Sequence, residues 1–145
     1  MNAYADTGLI CSLMVPDAHS AAAVKCMTKQ GLPLPWIWLH DLEFRNALRL
    51  RVFRKELTPR EADRTISQLL SDIASGIYAR HEPALDQITS ESERLSAEFS
   101  ARLGTRLLDV LHVAAALVLG CPAFLTFDKR QAELAKAAGL RVPKL

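Results

Sequence analysis

Cysteine is scarce and unpatterned in this chain. Cys11, Cys26 and Cys121 are odd in number, far apart and never in a C-x-x-C spacing. That excludes a disulfide miniprotein and argues against a zinc knuckle or a dithiol redox motif. Each cysteine sits among apolar neighbours and reads as a small buried hydrophobe of a reducing compartment. Long hydrophobic runs are also missing: no stretch of roughly 18 apolar residues could span a membrane. The first residues, MNAYADTGLICSLMV, have no basic region and carry Asp6 inside the apolar stretch, so they do not read as a signal peptide. A cytoplasmic protein is the expectation. Internal repeats and low-complexity segments are absent too. Finally, there is no excess of one charge: 18 Lys and Arg stand against 16 Asp and Glu, a net +2. Such a balance does not by itself announce a nucleic-acid partner.

What is present is globular. The 145 residues are 50% hydrophobic and 23% charged, and a chain of this length buries roughly 70% of its unfolded surface, enough for one core. A single domain spanning 1–145 is expected. The charges are unevenly placed. Five basic residues and no acid lie between Arg45 and Lys55, whereas residues 81–120 hold six acids and three bases.

The pattern along the chain alternates strands with helices. Residues 2–6 read as a strand ending in an acid, and Asp17 as the cap of a helix stopped by Gly31. Residues 34–39 read as a second strand and 41–55 as a helix. Thr58-Pro59-Arg60-Glu61 is a capping box with proline at the first helical position, opening a helix to about Ser75. Residues 77–79 form a weak strand, 84–103 a helical stretch with a break near Thr89-Ser90, and 107–119 an apolar helix. A strand at 123–127, a helix at 129–138 and a short strand at 140–142 complete the chain. Alternation of this kind implies an α/β fold with a mostly parallel sheet covered on both faces. In such sheets ligands lie beyond the carboxyl ends of the strands, which directs attention to the acids there.

Asp6 and Asp128 each end a strand, and each has the alternative reading of a helix N-cap. Asp109 sits in the first turn of a helix that is apolar all round. A carboxylate there needs a cation, a hydrogen-bond network or the mouth of a cleft, and Arg106, three residues earlier, offers a pair. His112, one turn on, could bond to Asp109 or a nearby backbone group, and otherwise reads as a core histidine. Asp41 and Glu43 could simply complement the dipole of their helix. If the four acids Asp6, Glu43, Asp109 and Asp128 converge on one rim, their mutual repulsion calls for a cation. Oxygen ligands without Cys or His suit Mg²⁺ or Mn²⁺, and phosphodiester hydrolysis is the chemistry that most needs such an ion.

The segments Tyr4–Ile10, Leu42–Leu48, Arg106–Ala116 and Leu125–Gly139 resemble the four motifs of PIN-domain proteins, in order and spacing, and in particular the VapC-type toxins of toxin–antitoxin pairs. The resemblance implies a three-layer α/β/α sandwich and a Mg²⁺- or Mn²⁺-dependent endoribonuclease. By position it makes Asp6, Glu43, Asp109 and Asp128 the catalytic acids. Asp6, Asp109 and Asp128 are then the metal ligands, and Glu43 binds through water or orients the attacking water. Thr126 matches a supporting hydroxyl, with Thr7 and His112 beside the acids. Many relatives carry serine where this chain has Gly8, and Thr7 would have to supply that hydroxyl. The resemblance further implies an RNA substrate, a small antitoxin partner that occludes the cleft, and a homodimer.

The basic run gains a reading as well: Arg45 and Arg49 share a helix face and could hold RNA phosphates, the alternative being a solvated face. Trp36 and Trp38 share a face of their strand, where core burial outweighs base stacking. A PIN-like module that binds RNA or protein without turnover is the competing function. A phosphoaspartyl protein is disfavoured, because Asp6-Thr7-Gly8 lacks the second acid of a D-x-D nucleophile motif.

Overall fold

The computed structural model describes residues 1–145. Strand β1 (Tyr4–Ala5) leads into helix α1 (Thr7–Met14) and then α2 (Ser20–Gln30). Strand β2 (Leu34–Trp36) is followed by α3 (Trp38–Phe53) and α4 (Pro59–Ala74). After β3 (Tyr78–Arg80) come α5 (Leu85–Leu95), a π-helical turn at Ser96–Ser100, the single turn α6 (Ala101–Leu103) and α7 (Leu107–Val118). Strand β4 (Phe124–Leu125) and α8 (Lys129–Ala137) close the chain.

All strand pairing is parallel. β1 pairs with β4, placing Tyr4 opposite Phe124, and β2 pairs with β3, placing Leu34 opposite Tyr78. The last expected strand shrinks to one parallel bridge between Ala123 and Arg141. β1 and β2 lie side by side without forming a ladder. The buried imidazole of His40 substitutes for part of it, with Nε2 2.9 Å from the carbonyl of Ala5 while Nδ1 accepts from the Ile37 amide at 3.1 Å. A buried carbonyl is thereby satisfied by a side chain rather than by a strand.

Side chains alternate across this layer as a pleated sheet requires. Ala5 and Leu125 face a core shared with Leu9, Trp36, Phe44 and Leu69. Tyr4 and Phe124 face a second core with Ile88, Leu95, Val113 and Leu134. Helices α1–α4 therefore supply one layer and α5–α8 the other, which is the expected α/β/α sandwich.

Several local expectations are corrected by the structure. Helix α1 is not evident in the sequence: Thr7, Leu9, Ile10, Cys11 and Ser12 are all buried, so the segment lacks the one-sided stripe that betrays a surface helix. Residue 19, rather than Asp17, is the N-cap of α2, although Asp17 still accepts from the His19 amide at 2.8 Å. The second strand stops at Trp36, so Trp36 and Trp38 do not share a strand face. Trp36 is fully buried, whereas Trp38 opens α3 and is 37% exposed. The irregularity in the 84–103 stretch falls at the π-helical turn, not at Thr89-Ser90. The capping box at Thr58 forms as expected, its hydroxyl accepting from the Glu61 amide at 3.1 Å and Glu61 accepting from the Thr58 amide at 2.7 Å.

Candidate active site

The acids gather where the carboxyl ends of β1 and β4 meet the first turns of α1, α7 and α8. Asp6 ends β1 and caps α1, with Oδ1 accepting from the Leu9 amide at 2.8 Å. Its Oδ2 accepts from the Thr126 hydroxyl at 2.5 Å. That hydroxyl in turn accepts from the Asp128 amide at 2.9 Å, so Thr126 ties the two aspartates together. Asp128 caps α8 through the Gln131 amide at 3.0 Å. Capping and a place in the site are therefore not alternatives; both aspartates do both. Burial pushes the Asp6 carboxyl above the usual carboxylate range, against the lowering effect of Thr126, the Leu9 amide and the charge of His112.

Asp109 occupies the first turn of α7 and is only 8% exposed. Its Oδ2 is buried and has no hydrogen-bond partner. The nearest cation is the expected one, Arg106, whose Nε lies 3.5 Å away. The same guanidinium reaches Oδ2 of Asp128 at 3.7 Å, a pairing that spacing along the chain does not disclose. The Arg106 side chain is 70% exposed, so water screens most of this attraction.

Glu43 differs. Because α3 begins at Trp38, Glu43 lies beyond its first turn and does not complement the helix dipole. Asp41 has that position, and it also accepts from Trp36 Nε1 and Arg80 Nη1, both at 2.9 Å. Glu43 Oε1 accepts from the Thr7 hydroxyl at 2.8 Å and is hydrogen-bonded to Nε2 of His112. On its other side, His112 Nδ1 meets the Tyr4 hydroxyl at 2.7 Å. His112 thus bonds neither Asp109 nor the backbone. It is held between β1 and α3 in a buried chain from Tyr4 to Glu43. Because a carboxylate only accepts, the ring donates from Nε2 to Glu43. Burial acts to raise the Glu43 carboxyl, but the bond and charge of His112 and the bond of Thr7 outweigh it, and the net shift is downward. Burial and the charge of His112 together lower His40, close by, to about 3.

All four predicted acids, with Thr7 and His112, line one cavity of about 80 Å³ that has no hydrophobic residue in its wall. Thr126 lies just behind it. No three Asp, Glu, His or Cys side chains are yet arranged as a ligand cluster, since Asp6 and Asp128 face their caps and Glu43 faces His112. The donor set nevertheless fits a hard cation: the oxygens are carboxylates, and Oδ2 of Asp109 has no hydrogen bond and only the solvent-screened Arg106 as a positive neighbour, 3.5 Å away. A Cβ on Gly8 would meet the Asp6 carboxylate at 3.6–3.7 Å, an ordinary van der Waals distance. A serine would therefore fit there; the hydroxyl that Thr7 brings to the same cavity donates to Glu43.

Arg45 and Arg49 are not in this wall. They lie on the outer face of α3, free of ion pairs, near Leu42 and Phe53, which are 64% and 83% exposed. Tyr4 and Gln131 carry no role in the sequence reading. A tyrosine two residues before the first acid is the available signal for Tyr4, since strand alternation sends it into the layer where α7 lies.

A model of the PIN domain family matches residues 79–137, the part that carries Asp109, His112, Thr126 and Asp128. No curated protein matches the sequence. Among solved structures, VapC20 of Mycobacterium tuberculosis, described as a sarcin–ricin loop cleaving toxin, superposes with a TM-score of 0.68 at 16% identity, covering 96% of each chain. FitAcB from Neisseria gonorrhoeae gives 0.64 at 15% identity, over 98% of this chain and 96% of that one. At such identities the likeness is one of fold. The chain thus shares the fold of these two structures along nearly its whole length, and the stretch that holds two of the four acids matches the PIN domain family model.

Proposed function

We propose that this protein is a divalent-metal-dependent endoribonuclease and the toxin of a toxin–antitoxin pair. The observation that carries the reading is the convergence of Asp6, Glu43, Asp109 and Asp128 on one polar cavity, with an oxygen of Asp109 left bare. Asp6, Asp109 and Asp128 would hold Mg²⁺ or Mn²⁺, which when bound supplies charge neutralisation and acidifies water at a phosphodiester. The protein's own part is positioning. Thr126 fixes Asp6 and the Asp128 backbone in one frame. Thr7 and His112 hold Glu43 by one oxygen and leave the other to accept a proton from, or orient, an attacking water. The Tyr4 hydroxyl fixes the imidazole that does so.

The toxin role is supported by the fold shared with VapC20 and FitAcB. A small antitoxin covering the cavity and a homodimer belong to the same proposal. No helix is long and apolar enough to cross a membrane, in keeping with a cytoplasmic site of action. The deciding experiment is Mn²⁺-dependent cleavage of total RNA together with growth after induction. Asp6→Asn and Asp128→Asn should each lower cleavage by more than roughly a hundredfold, beyond what loss of a supporting residue does, and should restore growth. Unchanged cleavage and toxicity in both variants would end the assignment. Metal-induced stabilisation without cleavage of any RNA would support the binding module instead.

A further inference from the structure

Asp128 belongs both to the wall of the acid cavity and to that of a groove of about 420 Å³ between α8 and the last residues of the chain. Lys129, Lys136 and Lys144 line it. Its far end, at Pro143–Leu145, continues into a second hollow of about 120 Å³ walled by Lys25 and Lys29 of α2. These five lysines are exposed, and none is in a salt bridge. Helix α2 contains no acid. The negative groups near the track are Asp128 at its mouth, Asp17 on the His19 amide, Glu133 on α8 and the terminal carboxylate of Leu145.

A second observation sits at the same mouth. Phe127, next to Asp128 and part of the groove wall, stacks on exposed His19 with ring centroids 4.4 Å apart and planes 21° from parallel. An unpaired cationic track beside an accessible aromatic pair is the pattern that holds single-stranded nucleic acid: lysines follow the phosphates, and a ring accepts an unstacked base. A duplex would not place a base face on that pair.

We infer that single-stranded RNA enters along the groove between α8 and the chain's last residues, its phosphates held by Lys25, Lys29, Lys136 and Lys144 and a base stacked at His19–Phe127 beside Asp128. The inference rests on the ribonuclease reading for its purpose, but its test does not depend on cleavage. It also moves RNA holding away from Arg45 and Arg49.

Binding of a fluorescein-labelled single-stranded RNA of about 15 nucleotides is measured by anisotropy in metal-free buffer at several salt concentrations. The variant replaces Lys25, Lys29, Lys136 and Lys144 by Gln, all surface changes whose folding is checked by its melting curve. Affinity should fall at least about tenfold, and the slope of log affinity against log salt should shrink by about 0.7 for each phosphate that the variant no longer neutralises. His19→Ala and Phe127→Leu should each weaken binding about fivefold or more. An Arg45→Gln, Arg49→Gln double variant should lose less affinity than the lysine variant. Unchanged affinity and slope in the lysine variant, or equal affinity for duplex RNA of the same length, would overturn the inference. If the wild-type chain binds along the lysines yet never cuts RNA, the ribonuclease reading fails while the track stands. If it cuts RNA and the lysine variant binds as before, the reverse holds.

Discussion

Glu43 and the three aspartates share one cavity, yet the protein treats them differently. Glu43 has two side-chain donors inside the fold, the Thr7 hydroxyl and the imidazole of His112 anchored by Tyr4. The aspartates do not. Asp6 has only a hydroxyl and a backbone amide, and Asp128 a backbone amide; Asp109 has an oxygen without a hydrogen bond, and the solvent-screened Arg106 lies beside both Asp109 and Asp128. The pKa directions follow, with Asp6 raised and Glu43 lowered. A carboxylate already satisfied is suited to orient water. Three that are not are suited to receive a cation brought from outside.

Metal binding should separate the two kinds of acid most sharply. Mn²⁺ at a hundred times its dissociation constant should stabilise the wild-type protein by about 2.7 kcal/mol, read as a rise in melting temperature. Asp109→Asn should abolish that rise, whereas Glu43→Gln should keep most of it. Equal losses would erase the distinction between them.

The next effect appears without metal, as a dependence on pH. Glu43 is held below its ordinary value, so its stabilisation is present above the unfolded pKa near 4.5 and fades as pH falls through the folded one. Glu43→Gln should therefore cost roughly 1–2 kcal/mol at neutral pH and nothing once the medium is acid enough to protonate the wild-type group. Asp6 is raised, so its contribution is favourable at low pH and is lost as pH climbs through the folded value. Asp6→Asn keeps an acceptor for the Leu9 amide and should leave the metal-free protein as stable as wild type or more so at neutral pH. Denaturant melts at pH 4 and pH 7 would reveal whether the two variants move in opposite directions.

The smallest effect concerns Arg106. As an exposed neighbour of Asp109 and Asp128 it competes weakly with an incoming ion. Arg106→Gln should tighten Mn²⁺ binding by about threefold at low salt, a difference that fades as salt rises. Calorimetric titration that shows weaker binding would make Arg106 a helper of the metal rather than its rival.

Much of this is legible from the residues. Strands alternating with helices imply the layers, the Thr58 box marks the start of α4, and an apolar helix carrying Asp109 signals a carboxylate in want of a partner. Helix α1 escapes because it is buried all round and shows no amphipathic period. The roles of Tyr4 and His112 escape for another reason. Their hydrogen bond joins residues 108 apart in the chain, and such a meeting depends on which face of β1 looks toward α7. Trp38 is misplaced because an aromatic-rich run reads as strand, although the chain turns helical at that residue.

Strand β1 is two residues long, yet it serves as the gauge of the molecule. Tyr4 points into one core and Ala5 into the other, so the rotation of this short piece fixes where Asp6 emerges. A single inserted residue would exchange the two faces, leaving a bulky phenol where only a methyl group fits and withdrawing the hydroxyl that steadies His112. Length is thus under tighter constraint here than composition: an aliphatic swap at Ala3 disturbs packing, whereas one extra residue before Asp6 dismantles the cavity.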